Sequence, residues 1–233
     1  MNDRNWERWG ALGGILFVVL VAISAFLPGS PPMTSDGAKK ISDYLADHEE
    51  AVRWAGYIGT LAVIPFFWWL GSVWRLMRRG EGSSPRLTVM AITGATFATA
   101  MATIGAVILS AIPIIGVRTL GLVTTRTLYV ISTNLAIATL FGVAAFLLGF
   151  SVVIIRTAVL PRIMGWLGVL IAIVGIVGAA SVATDRDAVF DVAFCGFIAS
   201  MVWILVTSIL MFVRAGDAIE EVDVVVVAES SAG

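Results

Sequence analysis

Residues 87–112 read LTVMAITGATFATAMATIGAVILSAI, twenty-six residues without one charged side chain. At 1.5 Å per residue such a helix is about 39 Å long, more than the roughly 30 Å hydrocarbon core of a bilayer. A helix apolar on every face needs a solvent that accepts apolar surface, and in lipid a helix satisfies its own backbone. The stretch is also patterned. At 100° per residue, Ala91, Ala95, Ala98, Ala102 and Gly105 fall in a stripe about 80° wide. Thr88, Thr96, Thr99, Thr103 and Ser110 form a second stripe beside it. The first lets another helix approach closely. The second has two readings: hydroxyls lining a polar path, or hydroxyls bonded to their own helix four residues back and therefore inert.

Five further apolar runs of similar length flank this one, giving spans at about 10–27, 52–77, 87–112, 128–155, 163–183 and 189–213. Of the 233 residues 59% are hydrophobic and 13% charged, with a mean hydropathy of +0.97. A soluble domain averages about half apolar and a quarter charged. The sequence therefore predicts an all-α polytopic transmembrane bundle of about six helices. It forms one domain over 1–215, followed by an acidic, unstructured cytoplasmic tail over 216–233, and the chain is expected to need no cofactor. The tail's Val224-Val225-Val226-Val227 run has a second reading as a strand added to a partner's sheet. Pro65 interrupts the second span and Pro113 ends the third. Arg4 and Arg8 precede the first, and Ala22-Ile23-Ser24 resembles a weak signal-cleavage site. Because the apolar run continues to Leu27 and five spans follow, this is read as a retained helix.

Lysines and arginines set the orientation. With the N-terminus inside, nine lie on the cytoplasmic side and six outside, and Arg75, Arg78, Arg79 and Arg86 bracket one short inner loop opposed only by Glu81. Both termini are accordingly placed in the cytoplasm. The topogenic role accounts for the inner arginines, with anionic-headgroup binding as the other reading. Between the first two spans, after Pro28, Gly29, Pro31 and Pro32, the spacing of Ala38, Ile41, Leu45 and Val52 predicts a short outer amphipathic helix capped by Asp36 that feeds the second span.

Two stretches carry a resemblance. One is Ile41-Ser42-Asp43-Tyr44-Leu45-Ala46-Asp47-His48-Glu49-Glu50, with Arg53 and Tyr57 leading into a span that ends Trp74-Arg75-Leu76-Met77-Arg78-Arg79. The other is Leu160-Pro161-Arg162-Ile163-Met164-Gly165-Trp166-Leu167-Gly168. Together they resemble a group of multi-span bacterial membrane proteins, frequent in actinobacteria and classed as domains of unknown function. The resemblance implies an inner-membrane protein of six or so helices and carries over no catalytic residue.

The composition excludes several chemistries. One cysteine, Cys195, and one histidine, His48, cannot make an internal disulfide, a His/Cys zinc site or a bis-histidine haem within one chain. A net charge of −1 and the lack of a basic, aromatic-interleaved stripe give no reason to expect nucleic acid. Away from their ends the spans hold no Lys, Asp or Glu, and no Arg sits at a span centre, which argues against a proton relay or a cation site. No Ser/His pair or Asp pair suits an intramembrane protease. The chain is read as not an enzyme.

The remaining candidates are polar residues near the membrane. Asn134 shares a face with Thr127, Ala138, Gly142, Ala145 and Gly149, and reads as an interhelical hydrogen bond or a solute contact. Arg53, Arg118, Arg126, Asp185, Arg186, Asp187 and Asp191 lie near the outer helix mouths, as a ligand vestibule or as interfacial anchors. His48 reads as an interfacial residue or a pH sensor. Gly10 and Gly14, with the small residues Gly168, Ala172, Gly175 and Ala179, permit a homo-oligomer. The first expectation for function is a non-enzymatic accessory membrane protein, in contact with the lipid bilayer and partnering other membrane or envelope components. The alternative is a channel or facilitator for a small neutral solute, built on the hydroxyl stripe and Asn134.

Overall fold

The computed structural model describes the backbone of residues 3–82, 84–183 and 187–231, and the side chains of 9–82, 84–183 and 189–214. Among the described residues eight α-helices follow one another: α1 Asp3–Phe26, α2 Ala38–Asp47, α3 Glu49–Leu61, α4 Val63–Glu81, α5 Arg86–Ile115, α6 Val117–Thr157, α7 Arg162–Ala179 and α8 Asp187–Ser231. A 3₁₀ turn, Ala180–Ala183, extends α7. There is no strand among the described residues. Six segments are long and apolar enough to cross a membrane: Trp9–Phe26, Glu49–Glu81, Arg86–Ile115, Val117–Thr157, Arg162–Ala183 and Val189–Arg214. The protein is an all-α, multi-pass membrane bundle. Residues 216–233, expected to be an unstructured tail, carry side chains outside the described residues.

Local chemistry sets the breaks. α3 and α4 together make the second span, parted at Ala62. Pro65 has no N–H, and its ring would meet the carbonyl four residues back, at Leu61, the last residue of α3. Pro113 does not end the third span as expected; it lies inside α5, which continues to Ile115 and stops at Gly116. There φ is +92°, and a second glycine with positive φ, Gly121 at +73°, kinks α6 within its first turns. α6 therefore starts about ten residues before the apolar run does. Its first turns carry Arg118, Thr124, Arg126 and Thr127 and project past the apolar zone.

The spans close a ring. α1 packs on α3, α4 and α8; α3 and α4 on α5; α5 on α6; α6 on α7; and α7 on α8. α6 also touches α4 and α8 across the middle and is the most buried of the six. The α5–α6 seam is close along its length, because glycine and alanine line both sides. A Cβ on Gly149 would lie 2.8 Å from the Leu87 carbonyl oxygen and 3.0 Å from the Ala91 Cβ, and one on Gly105 3.0 Å from the Ser132 oxygen. The small stripe of α5 and the small face of α6 thus fit one another. Ala102 alone of that stripe is exposed.

Candidate functional site

A series of aromatic rings runs through the bundle interior. Phe17 of α1 meets Phe66 at 4.6 Å between centroids, Phe66 meets Trp69 at 5.8 Å, and Trp69 meets Phe146 at 5.7 Å. Phe146 then meets Trp203 at 6.2 Å, and Phe150 meets Trp203 at 5.6 Å. The series crosses from α1 through α4 and α6 to α8. Trp69, Val73, Met77, Leu147 and Ile154 pack around it with no exposed surface. Edge-on and tilted contacts at these spacings are favourable and pack this part of the interior closely.

The hydroxyl stripe of α5 does not form one polar surface. Thr88 is buried and donates to Glu81 Oε2 at 2.5 Å, whereas Thr96 is exposed. Thr96 and Thr99 donate to their own helix, at the Ile92 and Ala95 carbonyls (2.9 and 2.8 Å), and Ser110 donates to Val107 at 3.1 Å. Ser110 also packs on α3, where a Cβ on Gly56 would lie 2.8 Å from its own. Thr103 is half-buried. Hydroxyls spent on local carbonyls need no other partner. Asn134 is half-buried on α6, and its amide makes no hydrogen bond among the described residues.

The charges expected near the outer mouths are dispersed. Arg53 pairs with Glu49 of its own helix at 3.6 Å. Arg126 donates to the Thr34 carbonyl at 3.4 Å. Arg118 and Asp191 are exposed, and no ion pair joins them among the described residues. Asp185, Arg186 and the Asp187 side chain lie outside the described residues. No group of three His, Cys, Asp or Glu able to hold a metal occurs among the described residues.

What closes this end of the bundle is α2. Ile41 and Leu45 have no exposed surface and sit with Val52, Ile112 and Tyr129. The apolar face of α2 therefore rests on the bundle. The helix stops at Asp47, and one residue, His48, parts it from α3. Gly37, not Asp36, occupies the N-cap position, and no side chain caps it. Asp36 instead binds Lys40 at 2.9 Å and accepts from the Met33 N–H at 2.9 Å. These contacts, Lys40 first and then Met33, hold its carboxyl below the usual carboxylate range. The loop before α2 is pinned by two phenols: Tyr44 donates to the Pro28 carbonyl at 2.9 Å and Tyr129 to the Pro32 carbonyl at 2.6 Å. Burial pushes the Tyr44 phenol up. The His48 ring stacks on Tyr44, and its Nδ1 lies 3.0 Å from the Tyr44 carbonyl oxygen. A groove of about 460 Å³ opens beside them, lined by Asp47, His48 and Glu50 together with Leu27, Trp54 and Ile58.

Sequence reasoning did not single out the buried polar atoms of the interior. Ser151 Oγ, Thr207 Oγ1 and Trp69 Nε1 are buried with no hydrogen-bond partner. Ser151 and the Trp203 indole both crowd Gly168, while Ser208 and the Trp69 indole crowd Gly14. Trp203 Nε1 donates across to the Met164 carbonyl at 2.9 Å, and Ser24 donates from α1 to the Ala55 carbonyl of α3 at 2.8 Å. The available signal was the adjacency of Thr207 and Ser208 in an otherwise apolar run. Comparison of the chain with protein-family models, curated proteins and solved structures finds no match.

Proposed function

We propose that this chain is a non-enzymatic component of a bacterial inner membrane that acts by holding a partner at the end capped by α2. Both termini are cytoplasmic in this reading, and the arginine-rich end is inside. The observation that carries it is the aromatic series from Phe17 to Trp203, which packs the interior between α1, α4, α6 and α8. Support also comes from the α5 hydroxyls, which are spent on their own carbonyls. The α2 end offers a different surface. Its loop is tied down, it carries the groove beside Trp54, and Trp54 and Tyr57 stand exposed next to Asp47 and Glu50. Rigid aromatics beside charged groups are frequent anchors in protein interfaces.

Two measurements test this reading. Proteoliposomes should pass glycerol and urea no faster than empty liposomes in stopped-flow swelling. A photo-crosslinking residue in place of Trp54 should trap a discrete product in cells, while one in place of the lipid-facing Ile173 should not. Solute flux above the lipid background would overturn the reading in favour of a facilitator.

A further inference from the structure

The end of the bundle opposite α2 is dominated by arginine. Arg75, Arg78 and Arg79 close α4, Arg86 opens α5, Arg156 ends α6, Arg162 opens α7, and Arg214 lies on α8. α4 and α6 share this rim, since a Cβ on Gly80 would lie 3.0 Å from Thr157 Oγ1 and 3.2 Å from Val153. Glu81 is the one carboxylate of the rim among the residues whose side chains are described. Its oxygens are already engaged by the Leu87 N–H, the Thr88 N–H and the Thr88 hydroxyl. Both lysines of the chain, Lys39 and Lys40, are on α2. The cations of the described rim are thus all guanidiniums, whose planar forks match phosphate oxygens two at a time.

Three of them bracket one turn. Arg156 and Arg162 stand on either side of the α6–α7 connection, where Ala158 adopts φ +52°. Arg214 donates to the Val159 carbonyl inside the same turn. All three side chains are exposed, and that bond uses one of the five N–H donors of Arg214. Three like charges at a membrane surface repel one another unless an anion neutralises them. Below Arg162 the lipid side of α7 carries Ile163, Trp166, Leu170, Ile173 and Val177, each at least half exposed. Their spacing of three and four residues makes one continuous face of the helix. A cationic turn therefore stands at the head of an apolar track along α7.

We propose that the α6–α7 turn binds the phosphodiester head of an anionic phospholipid among Arg156, Arg162 and Arg214, with an acyl chain along Ile163, Trp166, Leu170 and Ile173. The occupant is a lipid because the track continues the charge into the hydrocarbon, which a free phosphate would leave uncovered. Arginine supplies the affinity and Trp166, four residues from Arg162, fixes the depth. This inference is independent of what the α2 end holds.

The test is a native mass spectrometry titration of the full-length, delipidated protein in neutral detergent. The probes are dioleoyl phosphatidylglycerol, dioleoyl phosphatidylcholine and inorganic phosphate. Phosphatidylglycerol should be retained as a discrete adduct, and phosphatidylcholine and phosphate should not. An arginine near an anionic surface contributes roughly fivefold in binding, so R162Q should weaken the adduct about fivefold and R156Q/R162Q/R214Q on the order of one hundredfold. R162Q changes an exposed side chain and keeps the test valid should the triple variant fold poorly. Equal retention of the two lipids, an unchanged affinity in R162Q, or an adduct formed by phosphate alone would overturn the proposal. A dimer that buries the α7 track and excludes lipid would overturn it equally.

Discussion

Gly94 of α5 and Gly142 of α6 close on each other's backbone. A Cβ on Gly94 would lie 2.7 Å from the Gly142 carbonyl oxygen, and one on Gly142 would lie 2.5 Å from the Gly94 oxygen and 2.7 Å from the Ala98 nitrogen. Real Cβ atoms do not approach backbone so closely, so even alanine must push the helices apart. Lipid tails are as apolar as leucine, and close packing is what holds such a seam together. Gly142→Ala should lower stability by about 1–3 kcal/mol despite alanine's better helix propensity. Gly71→Ala, in α4 with open space around it, should be neutral or stabilising. Thermal unfolding in detergent of the two variants checks this, and equal melting temperatures would remove the seam from the account.

Glu81, the last residue of α4, caps α5 across the intervening loop, accepting from the Leu87 and Thr88 N–H groups at 2.9 and 2.7 Å and from the Thr88 hydroxyl at 2.5 Å. A carboxylate at a helix N-terminus satisfies otherwise unpaired donors and favours the helix dipole. Glu81→Ala should cost about 1.5–3 kcal/mol, and Glu81→Gln, which keeps one carbonyl acceptor, less. Hydrogen exchange of the first turn of α5 should rise most in the alanine variant. Unchanged protection there would show that the loop adds nothing to α5.

The α2 lid depends on two phenols and one carboxylate. Tyr129→Phe removes the donor to Pro32 and should cost about 1 kcal/mol, with faster exchange confined to the loop around residues 28–36. Asp36 adds a pH dependence. Its pKa is lowered in the folded protein, so its contribution is full above the unfolded value, near 3.8, and is lost as pH falls through the lower, folded value. At neutral pH the loop should therefore be ordered, and Asp36→Asn should behave there as the wild type does in acid. Equal protection factors at both pH values, after the intrinsic pH dependence of exchange is divided out, would contradict this.

Much of this architecture is legible in the sequence, and the misses have physical causes. Charge-free runs mark the spans because nothing else satisfies backbone and side chains together in hydrocarbon. The start of α6 is lost to such a reading, since its first turns are polar and lie past the apolar zone. The α5 alanines and α6 glycines announce close packing, but small residues do not name their partner, and only the fold brings Gly94 to Gly142. The helical spacing of Ile41 and Leu45 is the same whether that face meets lipid or protein. The hydroxyl stripe is real as an angle. Yet Thr88 and Thr96 end up respectively buried and exposed, because neighbouring elements cover α5 unevenly along its length. The unpartnered Ser151 and Thr207 follow no helical period, and only the adjacency of Thr207 and Ser208 in an apolar run marks the second of them.

Orientation can be checked directly. The arginines bracketing the α4–α5 loop imply that this loop is cytoplasmic and α2 external. With the free thiol removed by Cys195→Ala, cysteine at Ser84 or at Gly37 offers an exposed or open site on each side. On intact cells an impermeant thiol reagent should label the residue-37 variant and leave the residue-84 variant untouched until the membrane is permeabilised. The reverse pattern would invert the topology.

Asn134 separates packing from solute contact most cheaply. It is the only Asn or Gln inside the sequence-read spans, and an amide in hydrocarbon ordinarily needs partners. The small residues Gly142 and Gly149 on its helix are used against α5. The amide itself is half-buried with no hydrogen bond among the described residues. Substitution by leucine therefore removes a poorly satisfied polar group without breaking a bond. Asn134→Leu should leave the detergent melting temperature unchanged or raise it slightly, by less than about 1 kcal/mol in stability. A clear fall in melting temperature would mean that the amide has an interhelical partner and that this face of α6 is held by polar contact. If glycerol or urea flux exists in proteoliposomes and Asn134→Leu abolishes it at unchanged stability, the amide contacts solute. That result would move the functional site from the α2 end into the membrane.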